Sequence, residues 1–186
     1  MNRNPISDRE WIGSADISKF GSYTDRKTSF DDDKDIESFI LFLKLVYNTT
    51  SSVEDYVFKP KPYGPYGVDL GIFKNNKLVL AIDIERWSKW NEEWPKNYKY
   101  VSFLSRKLKF VHKHNKFTMV FFNYDRSKFI CVDGENITKY PSGARYTQGK
   151  MDSVIKIPFD DARLYGNNLT EKEKYLFKNH TIRKIK

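Results

Sequence analysis

Three carboxylates stand where a hydrophobic sheet is expected. In the segment YGVDLGIFKNNKLVLAIDIERW, residues 66–87, two apolar runs flank the polar NNK, and Asp69, Asp83 and Glu85 interrupt them. Side chains alternate between the two faces of a strand, so the register of such a hairpin decides whether the acids meet. If paired residue numbers sum to 152, Val68 faces Ile84, Leu70 faces Ile82 and Ile72 faces Leu80 on a wholly apolar side. The other side then pairs Asp69 with Asp83, Gly71 with Ala81 and Phe73 with Val79, and Glu85 follows Asp83 on the same face. A loop made of NNK gives this register, whereas a two-residue NN turn puts Asp69 beside Ile82 and mixes the faces. Gathering three like charges in a half-buried place costs on the order of several kcal/mol unless protons or cations compensate. Hard oxygen ligands in this number suit a divalent cation, magnesium or manganese.

The charge distribution points the same way. The chain carries 33 basic and 24 acidic residues, a net charge of +9. Residues 1–58 hold 7 basic and 11 acidic side chains, while residues 86–128 hold 11 and 3. Positive charge therefore follows the acid-bearing hairpin directly, which suits a polyanion such as nucleic acid. A divalent ion in basic surroundings suggests phosphodiester hydrolysis, with lysines holding the backbone and the ion stabilising charge on the phosphate. Arg86, Lys89, Lys99, Lys109 and Lys113 are the candidate nucleic-acid contacts. Trp87, Trp90 and Trp94 either stack on bases or anchor a loop. The plain alternative is a lysine-rich solubilising surface with the acids solvated at strand ends. His112, His114 and His180 have no metal-ligand spacing to the acids, and GARYTQGK lacks the pattern of a phosphate-binding loop. Cys131, alone inside FICV, reads as a buried thiol and leaves no cysteine for a disulfide or metal cluster within these residues.

The elements that position these residues follow from periodicity. At 186 residues and 39% hydrophobic content the chain suits a single domain, 1–186. No apolar run approaches the roughly 20 residues that span a bilayer, and MNRNPISDREW lacks a secretory signal, so a soluble cytoplasmic protein is expected. Residues 1–30 read as an irregular arm with one short helix near SDREWI. A helix over 35–47 is the clearest element: Asp residues crowd its N-terminus, and Ile36, Phe39, Ile40, Leu43, Val46 and Tyr47 recur at helical spacing. KPKPYGPYG is expected to be irregular, followed by strands at 68–73 and 78–85. NYKYVSFL is expected as a strand, 98–104, leading into a helix over 105–114 capped by Ser105, in preference to one helix from Lys96 to His114. A strand over 117–123 turns back through DRS into KFICV. Beyond residue 133 the pattern is weak, with YPSGARYTQGK as a loop, LTEKEKYLFKNH as a helix capped by Thr170, and HTIRKIK as a basic tail.

Helix, strand, strand, strand, helix, strand over about residues 31–125 resembles the αβββαβ core of the PD-(D/E)xK nuclease superfamily. Asp69 on the first strand, Asp83-Ile84-Glu85 on the second and Glu37 on the preceding helix carry the resemblance. It implies an α/β (α+β), restriction-endonuclease-like fold with a mixed four- to five-stranded sheet flanked by helices. The core would span about 31–132 and a C-terminal extension 133–186. It further implies a magnesium-dependent endodeoxyribonuclease with Asp69, Asp83 and Glu85 as metal ligands and Glu37 as an auxiliary ligand. Val68 stands where proline is frequent, and Glu85 stands where lysine is usual. In some members that lysine has moved to the following helix, and SRK offers Arg106 and Lys107 as catalytic cations. A cation in a first helical turn opposes the dipole, so it asks for an anion nearby, the scissile phosphate or the Asp83/Glu85 pair. DNA is the expected partner, with no membrane; many small nucleases of this fold act as homodimers to reach both strands, and the oligomeric state is left open by the sequence. One rival reading is a catalytically silent nucleic-acid-binding or structural protein that keeps the nuclease fold. Another is a partner-binding protein that uses the acidic N-terminal third and the aromatic loops.

Overall fold

A computed structural model of the chain describes residues 30–47, 56–96, 98–147 and 150–166. The expected helix near SDREWI, the helix LTEKEKYLFKNH, the tail and His180 lie outside these residues. The elements, in chain order, are α1 (Phe30–Tyr47), β1 (Tyr56–Pro60), β2 (Leu70–Lys74), β3 (Lys77–Arg86) and β4 (Tyr100–Leu104). A 3-10 turn at Ser105–Lys107 leads into α2 (Leu108–Lys113), followed by β5 (Phe117–Phe122), β6 (Lys128–Asp133) and α3 (Gly134–Ile137). β7 (Ser142–Thr147), β8 (Lys150–Pro158) and β9 (Arg163–Gly166) complete the set.

Two sheets result: a mixed sheet of six strands ordered β1-β2-β3-β5-β6-β9, and an antiparallel sheet of three ordered β4-β8-β7. The fold is thus mixed α/β, dominated by strands, where a single sheet of four to five strands was expected. β5 runs parallel to β3 and occupies the edge that β2 leaves free, so β4 has no place beside β3 and pairs with β8 instead. A parallel pair needs a long crossover. Here residues 87–116 supply it, carrying β4 and α2 across one face of the large sheet.

Each face of the large sheet has its own core. α1 buries Ile36, Phe39, Phe42 and Leu43 against Leu70, Ile72, Leu80, Ile82 and Ile84. Phe129 of β6 receives Phe39 and Phe42 edge-on, at 5.4 and 4.6 Å between ring centroids. Across the sheet, Ala81, Met119 and Phe121 pack with Val101, Phe103, Ile155 and Ile157 of the small sheet and with Trp90. Residues beyond 133 are therefore part of the fold: the segment expected as the loop YPSGARYTQGK contains β7, and β8 contributes buried Val154, Ile155 and Ile157. β1 likewise uses Lys59 and Pro60 of the stretch expected to be irregular. It is an edge strand, where a terminal proline costs no ladder bond.

The hairpin reaches its register by an unexpected route. Asn75 and Asn76 have φ of 50° and 60°, the left-handed pair of a two-residue type I′ turn, and Lys74 pairs with Lys77 across it. The expected NNK loop and the Phe73–Val79 pair do not form, because Phe73 pairs with Leu78. A bulge at Val79 then restores Ile72 opposite Leu80, Gly71 opposite Ala81 and Leu70 opposite Ile82. Leu78 packs on one core while Val79 and Leu80 both pack on the other, as one extra residue demands. Val68 precedes the strand and buries in the core with Ala81, not in the core that holds Ile84. No helix among the described residues is long and apolar enough to cross a membrane.

Candidate active site

Ile82 and Ile84 point into the α1 core, so Asp83 and Glu85 project from the opposite face of β3, under the crossover. Asp69 closes the loop before β2. Its backbone carbonyl accepts the Lys61 N–H at 2.8 Å, and its Oδ2 accepts the Ile84 N–H at 2.8 Å. The neighbouring strand thereby orients the Asp69 carboxylate. The crossover delivers the cation: Lys107, at the end of the 3-10 turn, is buried, with Nζ in ion contact with Asp83 Oδ2 and 3.4 Å from Glu85 Oε2. Asp83 is buried, and the Lys107 ammonium is the charge that faces its Oδ2.

These positions set the electrostatics. Burial, and next the Asp83 charge beside it, push the Asp69 carboxyl up to about 8, despite the Ile84 amide and Lys107, which favour its ionised form. Burial acts to lower the Lys107 pKa, but Asp83 and Glu85 outweigh it and hold the ammonium above the ordinary lysine range. The metal-free site therefore resists ionisation of Asp69 and favours a charged Lys107. Two facing carboxylates that keep a proton between them are a place where a divalent cation can replace that proton. Their hard oxygens suit magnesium or manganese. No ready cage of three or more acids, histidines or cysteines is gathered among the described residues. Lys107 engages both Asp83 and Glu85, so a cation at the Asp69–Asp83 pair would have to displace its ammonium from Asp83.

Other expected site residues lie elsewhere. Glu37 is exposed on α1, and α1 packs on the face of the sheet opposite the acids, so it is no auxiliary ligand in this arrangement. Arg106 is held by Asp152 of β8, with NH1 3.3 Å from Oδ2. Arg86 alternates with Glu85 and turns to the α1 side, where its Nε lies 3.8 Å from Asp35. Lys89, Lys99, Lys109 and Lys113 are exposed. Of the tryptophans, Trp90 is fully buried and Trp87 stacks on Trp94 at 5.1 Å, so they anchor the crossover. Ser105 does not cap a helix with its side chain. Its hydroxyl accepts a bond from Ser153, and the expected helix 105–114 begins as a 3-10 turn. His112 is exposed, and His114 is buried against Tyr63 with its pKa lowered by burial and by Lys113.

Asp35 was not singled out by the sequence. It is 5% exposed on α1 and accepts a 2.6 Å bond from Arg126, a residue held at φ 66°. Its helical spacing to Phe39 and Phe42 was the available signal. No family model, curated protein or solved structure matches the chain.

Proposed function

We propose that the chain is a metal-dependent nuclease that hydrolyses phosphodiester bonds in DNA. One observation carries the reading: Asp69, Asp83, Glu85 and Lys107, from three separate segments, converge on one sheet face. Asp69 and Asp83 would hold the cation, which when bound supplies a more acidic water and neutralises phosphate charge. Lys107 carries a fixed positive charge beside the pair and is placed to stabilise the charge that develops on the phosphate. Glu85, the more open of the two acids on β3, with a side chain 24% exposed against 4% for Asp83, is placed to accept the proton of the attacking water. Its engagement with Lys107 keeps the carboxylate oriented while it waits.

The ion contact between Lys107 and Asp83 also favours a second reading, a nucleic-acid-binding protein whose acids are satisfied internally and never load a metal. Incubation with supercoiled plasmid and with single-stranded DNA, in manganese and in magnesium, separates the two. The nuclease reading expects cleavage by the wild type and at least about a hundredfold loss in Asp83→Asn with the melting temperature preserved. Binding without cleavage in either ion contradicts it and leaves the second reading.

A further inference from the structure

Lys107 reaches the acids from a 3-10 turn, not from a strand. β4 ends at Leu104, so Ser105, Arg106 and Lys107 lie past the last ladder pair, Leu104 with Val154. Neither the turn nor α2 is capped at its N-terminus by a side chain. Yet a lysine only 8% exposed needs a fixed backbone beneath it, because its ammonium must meet the Asp83 carboxylate to offset the loss of water.

Side chains of β8 hold the turn where the ladder stops. In the antiparallel pairing of β4 with β8, Phe103 meets Ile155 and Leu104 meets Val154. The next step of the same register sets Ser105 opposite Ser153, and the Ser153 hydroxyl donates to the Ser105 hydroxyl at 2.9 Å. The step after that sets Arg106 opposite Asp152, and Arg106 NH1 lies 3.3 Å from Asp152 Oδ2. Pairing with β8 thus continues through side chains after the backbone ladder has ended, and the residue that follows, Lys107, turns to Asp83 and Glu85. Ser105 and Ser153 are 3% and 2% exposed, and alternation puts them on the face that Phe103 and Ile155 turn toward the large sheet. Buried hydroxyls are costly unless they meet, so this pair admits one register for the turn where apolar side chains would admit several. Asp152 is itself oriented, since its Oδ1 accepts the Ser153 N–H at 2.9 Å.

We propose that Ser153 and Asp152 of β8, acting through Ser105 and Arg106, are positioning residues that set Lys107 on the Asp83–Glu85 pair. The catalytic consequence rests on the nuclease reading, whereas the placement of Lys107 does not. The test uses the full chain carrying Ser105→Ala and Ser153→Ala together, because removing both hydroxyls leaves neither one buried without its partner. Lys107 is read by limited acetylation with an N-hydroxysuccinimide ester in EDTA followed by peptide mass spectrometry, with exposed Lys109 as the internal standard. Acetylation of Lys107 relative to Lys109 should rise about tenfold with the melting temperature preserved, as a local opening requires. Plasmid cleavage in manganese should lose about tenfold in kcat with KM unchanged. The same pair of substitutions added to Lys107→Met should cause no further loss, since the serines act through that lysine. Unchanged Lys107 acetylation in the folded double variant overturns the proposal. A kcat loss of equal size in the Lys107→Met background also overturns it, because the serines would then support the fold and not the lysine. Should the double variant not fold, Asp152→Ala at its partly exposed position takes the same labelling test, and unchanged Lys107 acetylation there overturns the proposal equally. If the wild type does not cleave but labelling of Lys107 rises in the variant, only the nuclease reading falls. If the wild type cleaves and labelling is unchanged, only the positioning role falls.

Discussion

Burial and the Asp83 charge oppose ionisation of Asp69 and raise its pKa, and this links the stability of the metal-free protein to pH. Its carboxyl titrates at about 8 in the folded chain against an ordinary 3.8, so between those values the folded state binds more protons than the unfolded state. The contribution of this group to stability should therefore fall as pH rises from about 4 to about 8. Urea melts in EDTA across that range check the slope, and Asp69→Asn should flatten it. Manganese should reverse the trend, since a ligand must lose its proton to bind and higher pH favours that loss. Lys107 gives a second expectation at this scale. In Lys107→Met the buried Asp83 loses the cation that faces it, so the metal-free melting temperature should drop. Manganese should then raise it by more than in the wild type, and thermal shift with and without the ion reads both. An equal shift in the two proteins contradicts competition between the ammonium and the cation.

The hairpin shows how an expected register can be reached through a different turn. Alternation of apolar residues demanded that Leu70 meet Ile82 and Gly71 meet Ala81, and these pairs form. What the alternation could not reveal is where the odd residue goes. NN is itself a strong type I′ signal, and a bulge at Val79 absorbs the mismatch that an NNK loop was expected to absorb. Deleting Val79 should therefore leave Asp69 and Asp83 facing each other. Cleavage should stay within about threefold of wild type, and the loss of a partly buried valine should cost about 1 kcal/mol. A collapse of activity in a folded deletion variant would show that the bulge itself shapes the site. The same hairpin logic failed beyond residue 133 for a physical reason. β7 and β8 form a small sheet with polar residues on its second face, and SGARYT carries too few apolar side chains to register as a strand. α1 was legible, yet Glu37 was misplaced, because helical spacing shows that a residue leaves the core but not which sheet face the helix covers. Lys107 was reachable only through the resemblance and the dipole argument, since nothing in local spacing brings the crossover back over Asp83.

At the scale of the molecule, the crossover does two jobs with one segment. It joins parallel β3 and β5, and it carries Lys107 over the face that bears the acids, with exposed Lys89, Lys96, Lys99, Lys109 and Lys113 along its length. Its attachment depends on Trp90, whose ring is wholly buried, so Trp90→Ala should cost about 3–5 kcal/mol and lower the melting temperature before any change in chemistry is read. On the proposed nuclease reading, the net charge of +9 should make nucleic-acid affinity salt-dependent. Lys99→Ala and Lys109→Ala, both at exposed positions, should each reduce the slope of log affinity against log salt by about 1, uniformly across sequences. An unchanged slope would move the phosphate path away from the crossover. The most direct measurement is a crystal structure grown with manganese, using the anomalous signal of the ion. The expected result is a peak between the Asp69 and Asp83 carboxylates, with Lys107 Nζ moved off Asp83 Oδ2. The contradicting result is no peak at these acids, with Lys107 still paired to Asp83 and Glu85 at a manganese concentration that supports cleavage.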